Sequence, residues 1–155
     1  MDKLDCILLV DDNENDLELT ERALRQYKLA NNIVVLRDGA EALDFLYRRG
    51  SFSARNNGDP IVVLLDIKMP RVDGLEVLRV MKSDPQLQQI PVVMLTSSRQ
   101  GPDVDACYGL GANAYVVKPV DFVQFTEAIK TIGKFWAVLN EVPPQKSVTP
   151  PPAKK

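Results

Sequence analysis

The run Ile61-Val62-Val63-Leu64-Leu65-Asp66-Ile67-Lys68-Met69-Pro70-Arg71-Val72-Asp73-Gly74 decides how the rest of the chain is read. Its first five residues are apolar and three of them are β-branched, which predicts a strand buried on both faces. Asp66 follows at once, and Met69-Pro70 and Asp73-Gly74 then break the strand. A carboxylate leaving a buried strand is costly unless it is paired, metal-bound or open to a cleft. In open α/β sheets, ligands bind at the carboxyl ends of the strands. Asp66 is therefore the first candidate site residue, with a helix cap or a salt-bridged structural Asp as the alternative.

The same alternation of buried strand and amphipathic helix extends in both directions. Before it, Cys6–Val10 reads as a strand ending in Asp11-Asp12. Asn13 or Asn15 then caps a helix over roughly 15–29 that places Leu17, Thr20, Leu24 and Tyr27 on one face. Ile33–Leu36 is a short strand, and Asp38-Gly39 opens a helix with Ala42, Leu43, Leu46 and Tyr47 inward. Gly50–Pro60 reads as a polar loop, long for a helix-to-strand link. After Asp73-Gly74 comes a helix with Leu75, Leu78 and Met81 inward, ended by Ser83-Asp84-Pro85. Residues 91–95 form the fourth strand, followed by Thr96-Ser97-Ser98, a helix near 102–110, and a fifth strand at Ala114–Val117 that ends in Lys118-Pro119. A last helix runs to about Glu141 with Phe122, Phe125, Ile129, Ile132, Trp136 and Leu139 in one stripe. Pro143-Pro144 stops it, because proline lacks the amide donor. The order β-α-β-α-β-α-β-α-β predicts an α/β fold, a doubly wound five-stranded parallel sheet with flavodoxin-like order 2-1-3-4-5 and helices on both faces.

Composition narrows the function classes. A chain of 155 residues is long enough for one well-buried domain, expected over 1–142, with a proline-rich tail expected to be disordered over 143–155. The net charge is −2 and the basic residues are scattered, so no nucleic-acid footprint is expected. The longest apolar runs are five residues, too short for a membrane span or a signal-peptide core. Cys6 and Cys107 lie in apolar segments, which predicts buried free thiols and a reducing, cytoplasmic setting. The chain has no histidine, which excludes imidazole acid–base catalysis, histidine metal ligands and a phosphohistidine of its own.

Five polar residues fall at the carboxyl ends of the predicted strands. Asp11 and Asp12 follow strand 1, Asp66 strand 3, Thr96 strand 4 and Lys118 strand 5. One such placement is ordinary, but five on one edge make a site. Three clustered carboxylates raise one another's pKa unless a cation sits among them. An all-oxygen ligand set suits Mg²⁺. A Mg²⁺-held aspartate is a plausible phosphoryl acceptor, whose transfer chemistry needs charge neutralisation more than a base. Lys118 and the Thr96 hydroxyl would then meet the phosphoryl oxygens.

Asp11-Asp12, Asp66 with Met69-Pro70 and Asp73-Gly74, Thr96, and Lys118-Pro119 resemble the signature of the two-component response-regulator receiver domain, in matching order and spacing across residues 5–140. That resemblance implies a phosphoprotein, not an enzyme in the usual sense, with Asp66 as phosphoacceptor. It implies Mg²⁺ bound by Asp12, Asp66 and the Lys68 backbone carbonyl, with Asp11 acting largely through water. It also implies Thr96 and Tyr115 as a switch pair, Lys118 on the phosphoryl group, and a cis bond before Pro119. A signal would pass through the face made by the fourth helix, fifth strand and last helix. Lys68 and Ser98 are expected to set the phosphoryl lifetime; solvated side chains without a role are the alternative.

Partner expectations follow from the same residues. The long Gly50–Pro60 loop, the Asp84-Pro85 turn and Phe135-Trp136 resemble the single-domain regulators paired with bacterial phytochrome-type kinases, so the expected partner is a sensor histidine kinase. Val123, Phe135, Val138 and Val142 give the last helix a second apolar face, which predicts a homodimer through that helix. Three rival functions fit the residues less well. A haloacid-dehalogenase-type phosphatase wants a second Asp where Lys68 stands. A flavin carrier wants a phosphate loop where Asp11-Asp12 stands. A phosphorylation-independent pseudo-receiver is opposed by the complete set of five residues.

Overall fold

The computed structural model describes residues 6–26, 32–55, 58–60, 62–97 and 100–118. Five strands, β1 (Cys6–Val10), β2 (Asn32–Leu36), β3 (Val62–Leu65), β4 (Val92–Thr96) and β5 (Ala114–Val117), form one sheet in the order β2-β1-β3-β4-β5. Every pairing is parallel, with Leu8 opposite Val34 and Val63, and Met94 opposite both Leu65 and Tyr115. Helices α1 (Glu14–Gln26), α2 (Gly39–Tyr47), α3 (Gly74–Ser83) and α4 (Gly101–Gly109) connect them. The expected order 2-1-3-4-5 is the order observed.

Strand periodicity splits the core in two, because successive side chains point to opposite faces. Leu8, Val10, Val63, Leu65, Val92 and Met94 face α2 and α3, together with Cys107 of α4. Ile7, Leu9, Val62, Leu64, Val93 and Leu95 face the other way, onto Leu17 and Leu24 of α1. Burying each such side chain is worth about 1.5–3 kcal/mol. Cys6 and Cys107 are buried free thiols, and burial pushes each up to about 11.

Three helices start on short acceptors that satisfy orphan amides. The Asn13 side chain accepts from the Asp16 N–H at 3.0 Å, Asp38 from Glu41 at 2.8 Å and Asp73 from Glu76 at 3.0 Å. Strand β4 begins one residue later than expected and includes Thr96. Pro91 has no N–H to donate, and only its carbonyl joins the sheet, accepting from Val63 at 2.9 Å.

The Gly50–Pro60 segment is more ordered than a plain polar loop. Gly50–Phe52 makes a 3-10 turn, and Phe52 packs edge-on against Phe45 with ring centroids 5.3 Å apart. The Arg55 guanidinium lies 4.0 Å from the Phe45 ring centre and donates to the Phe45 and Gly58 carbonyls. Tyr47 turns its hydroxyl to the Asp84 carboxylate, tying the end of α2 to the end of α3. Tyr27, Ile61, Ser98, the Lys118–Pro119 bond, the last helix and the 143–155 tail lie outside the described residues.

Candidate functional site

At the carboxyl edge three of the four strand pairings continue by one further hydrogen bond to a site residue. The Asp11 N–H donates to Leu36 O at 3.1 Å, Asp66 N–H to Val10 O at 3.0 Å, and Lys118 N–H to Thr96 O at 2.7 Å. The side chains converge: one carboxylate oxygen from each of Asp11, Asp12 and Asp66 lies within 4.8 Å of the others. Asp11 is buried, Asp66 half-buried and Asp12 exposed, so the cluster opens to solvent on one side.

Lys118 is buried among these acids. Its ammonium donates to Asp11 Oδ2 at 2.5 Å and to Asp16 Oδ2 at 2.7 Å, and stands 3.6 Å from Asp66 Oδ2. Burial works against the charged ammonium, but the hydrogen bonds to Asp11 and Asp16 outweigh it and hold the Lys118 pKa above its ordinary value. Burial likewise pushes Asp11 up to about 6, against the Lys118 hydrogen bond and the Asn13 N–H, which lower it. Asp11 uses its other oxygen, Oδ1, for that Asn13 N–H at 3.0 Å. Asp66 Oδ1 accepts from the Ile67 N–H at 2.8 Å, which orients its carboxylate plane.

The loop after Asp66 is held close. The Gly74 N–H donates to Ile67 O at 2.6 Å, and a Cβ on Gly74 would fall 1.9 Å from the Asp66 carbonyl oxygen. Only glycine lets the start of α3 approach that backbone. Arg71, at φ 66°, reaches Asp38 at 2.8 Å and ties the same loop to the cap of α2.

Of the residues singled out from sequence, Asp11, Asp12, Asp66 and Lys118 come together at one edge. Thr96 is buried at the end of β4 beside them, opposite Val117. It is the last residue of its strand, while Gln100 stands at the cap position of α4. Tyr115 is half-buried in β5, opposite Met94, and packs on the core beneath α2 and α3. The Lys68 side chain is exposed. Asp16 was missed by sequence reasoning. The available signal was an acid one helical turn beyond the Asn13 cap, where α1 rises from the carboxyl edge.

Residues 7–130 match the family model of the response regulator receiver domain. The chain belongs to the response regulator receiver family. The receiver is 37% identical over 130 residues to the response regulator Rcp1 of a Synechocystis strain, covering 84% of this chain and 87% of that protein. The structure of a Mn²⁺-bound Rcp1 superposes with a TM-score of 0.85 at 34% identity, covering 91% of this chain and all of that one. The phosphorylated cyanobacterial phytochrome response regulator RcpA gives a TM-score of 0.85 at 35% identity, covering 92% of this chain and 100% of that one. The bacteriophytochrome response regulator RtBRR is 59% identical, with a TM-score of 0.74 over 92% of this chain and 86% of that one. Among the described residues of the receiver, no helix is long and apolar enough to cross a membrane.

Proposed function

We propose that this receiver accepts a phosphoryl group on Asp66 from the phosphohistidine of a sensor histidine kinase, in a Mg²⁺-dependent transfer. The observation that carries this reading is the Asp66 carboxylate at the end of the central strand β3. Oxygens of Asp11 and Asp12 crowd within 4.8 Å of it, and a buried ammonium stands 3.6 Å away. An all-oxygen cluster of three carboxylates fits a hard divalent cation, which offsets their crowding. The residues that would hold Mg²⁺ are Asp12, Asp66 and the Lys68 carbonyl, with Asp11 through water, and the ion would neutralise charge on the phosphoryl oxygens.

In the transfer the phosphorus–nitrogen bond breaks, its electron pair leaves with the imidazole, and an Asp66 carboxylate oxygen takes the phosphorus. No base is needed, because a carboxylate nucleophile has no proton to lose in the attack. Lys118 donates to the phosphoryl oxygens as they close on the edge, and the Thr96 hydroxyl donates to another. The added charge biases an existing equilibrium in which Thr96 moves toward the phosphoryl group and Tyr115 turns inward. The altered face is α4, β5 and the helix predicted to follow. The similarity to RcpA and RtBRR supports a phytochrome-type kinase as the donor. The buried free thiols fit a cytoplasmic protein. The second apolar face of the predicted last helix supports a homodimer.

Intact mass after incubation with acetyl phosphate and Mg²⁺ tests the reading. One added phosphoryl group is expected on the parent, and none on Asp66→Asn or on the parent without Mg²⁺. A parent that takes no adduct and binds no beryllofluoride is a pseudo-receiver, and the reading fails. Sedimentation of Phe135→Glu beside the parent tests the dimer: an unchanged mass at micromolar concentration removes it.

A further inference from the structure

Three carboxylates share one ammonium at this edge, and they share it unequally. A lysine ammonium has three N–H donors. Two of them are taken by Asp11 at 2.5 Å and Asp16 at 2.7 Å, while Asp66 at 3.6 Å lies beyond hydrogen-bond distance. The lysine is therefore hydrogen-bonded on the α1 side of the site and meets Asp66 only as an ion pair.

The two holding acids differ in what they can release. Asp11 is locked, because its side chain is 5% exposed and its second oxygen is committed to the Asn13 N–H. Asp16 sits on the rim with its side chain 29% exposed, so water can replace the lysine there. Its place is set by the Asn13 cap, whose side chain accepts from the Asp16 backbone N–H at 3.0 Å. One chain of contacts thus runs Asp11, Asn13, Asp16 and back to Lys118.

We propose that Asp16 is a positioning residue that holds Lys118 back from Asp66 and competes with the phosphoryl group for its ammonium. The inference rests on the proposed phosphoryl chemistry and adds to it a residue that sets the site's affinity. Phosphorylation, or a phosphoryl mimic, must draw Lys118 off Asp16. Loss of the Asp16 charge therefore leaves Asp11 as the one acid hydrogen-bonded to the lysine and also removes one negative charge facing the incoming anion.

The test is calorimetric titration of the full chain with beryllofluoride at saturating Mg²⁺, together with acetyl phosphate labelling rates and thermal melts. Asp16→Asn keeps size and a hydrogen-bond acceptor but removes the charge, and is expected to bind roughly three- to tenfold more tightly than the parent. Asp16→Ala should gain similarly, whereas Asp16→Glu, which keeps the charge, should stay within about twofold of the parent. Glu14→Gln removes a like charge from the same first turn, where Glu14 pairs with Arg37 rather than Lys118, and should leave affinity unchanged. A merely structural role for Asp16 would lower the melting temperature without raising affinity. Affinity of Asp16→Asn equal to or weaker than the parent overturns the proposal, as does an equal gain from Glu14→Gln. A parent that neither binds beryllofluoride nor takes a phosphoryl group overturns the proposed function, and the role of Asp16 falls with it.

Discussion

The ion pairs at the carboxyl edge of the sheet and those along the helices have much the same lengths and different consequences. Lys118 meets Asp11 and Asp16 at 2.5 and 2.7 Å, and Arg25 meets Glu21 at 2.8 Å and Arg22 meets Glu18 at 3.1 Å. The Lys118 side chain is 6% exposed, whereas those of Arg22 and Glu18 are 60% and 69% exposed. Exposed i,i+4 pairs trade one well-solvated state for another and contribute little. Charges buried together forfeit hydration that their attraction barely repays, so apolar residues would often stabilise the same space better. At the carboxyl edge Lys118 and Asp11 carry that cost of burial, which the exposed pairs along the helices do not.

The largest expected effect breaks the comparison at its centre. Asp66→Asn should abolish the phosphoryl adduct seen by intact mass while leaving the far-ultraviolet circular dichroism unchanged, because the strand is held by backbone bonds such as Asp66 N–H to Val10 O. Next comes Lys118→Met, which leaves Asp11 buried without its cation. It should cost about 3 kcal/mol in urea unfolding at pH 7, because removing one partner strands the other. The sign of its pH dependence follows from Asp11. In the parent, burial already raises the Asp11 pKa to about 6, and loss of the ammonium raises it further. A raised acid contributes stability at low pH that is lost as pH rises through the folded value. The gap between parent and Lys118→Met should therefore narrow between pH 7 and pH 5, and a gap that widens would refute the assignment.

Gly74→Ala tests the packing beneath the charges. Its Cβ has no room beside the Asp66 carbonyl, so α3 must shift, at a cost of about 1–3 kcal/mol and with slower labelling of Asp66. A smaller effect concerns the buried thiols. Unfolded thiols ionise near 9 whereas Cys6 and Cys107 hold their protons to about 11, so stability is full below pH 9 and falls as pH rises from 9 to 11. Double replacement by alanine should flatten that slope in melts across the same range. At the small end, Arg22→Ala should move the melting temperature by less than about two degrees. A larger shift there would erase the contrast between surface and edge.

Much of the site was legible because strand ends announce themselves. A buried apolar run closed by Asp66, Thr96 or Lys118 places that residue at an edge once the strands are known to be parallel. Helix starts were equally local: Asn13, Asp38 and Asp73 cap the next turn in the structure as their side-chain chemistry predicts. Phe52 and Arg55 were not legible as anchors, since a polar stretch gives no sign that a distant ring, Phe45, will receive them. Asp16 was missed for the same reason. It is 102 residues from Lys118, and an acid in the first turn of a helix is ordinarily read as a complement to the helix dipole.

By itself the sequence determined the number of strands, their parallel order, and which residues stand at their carboxyl ends. Strand number and strand ends follow from periodicity and turn chemistry, which act between near neighbours, and the order from the rules that govern alternating strands and helices. Only the tertiary structure decided how the charges divide among themselves. It hydrogen-bonded Lys118 to Asp11 and Asp16 and left Asp66 an ion-pair contact at 3.6 Å, and it closed the start of α3 onto the Asp66 backbone through Gly74. Those outcomes depend on distances between segments far apart in the chain, and on how much water each carboxylate loses when the segments meet.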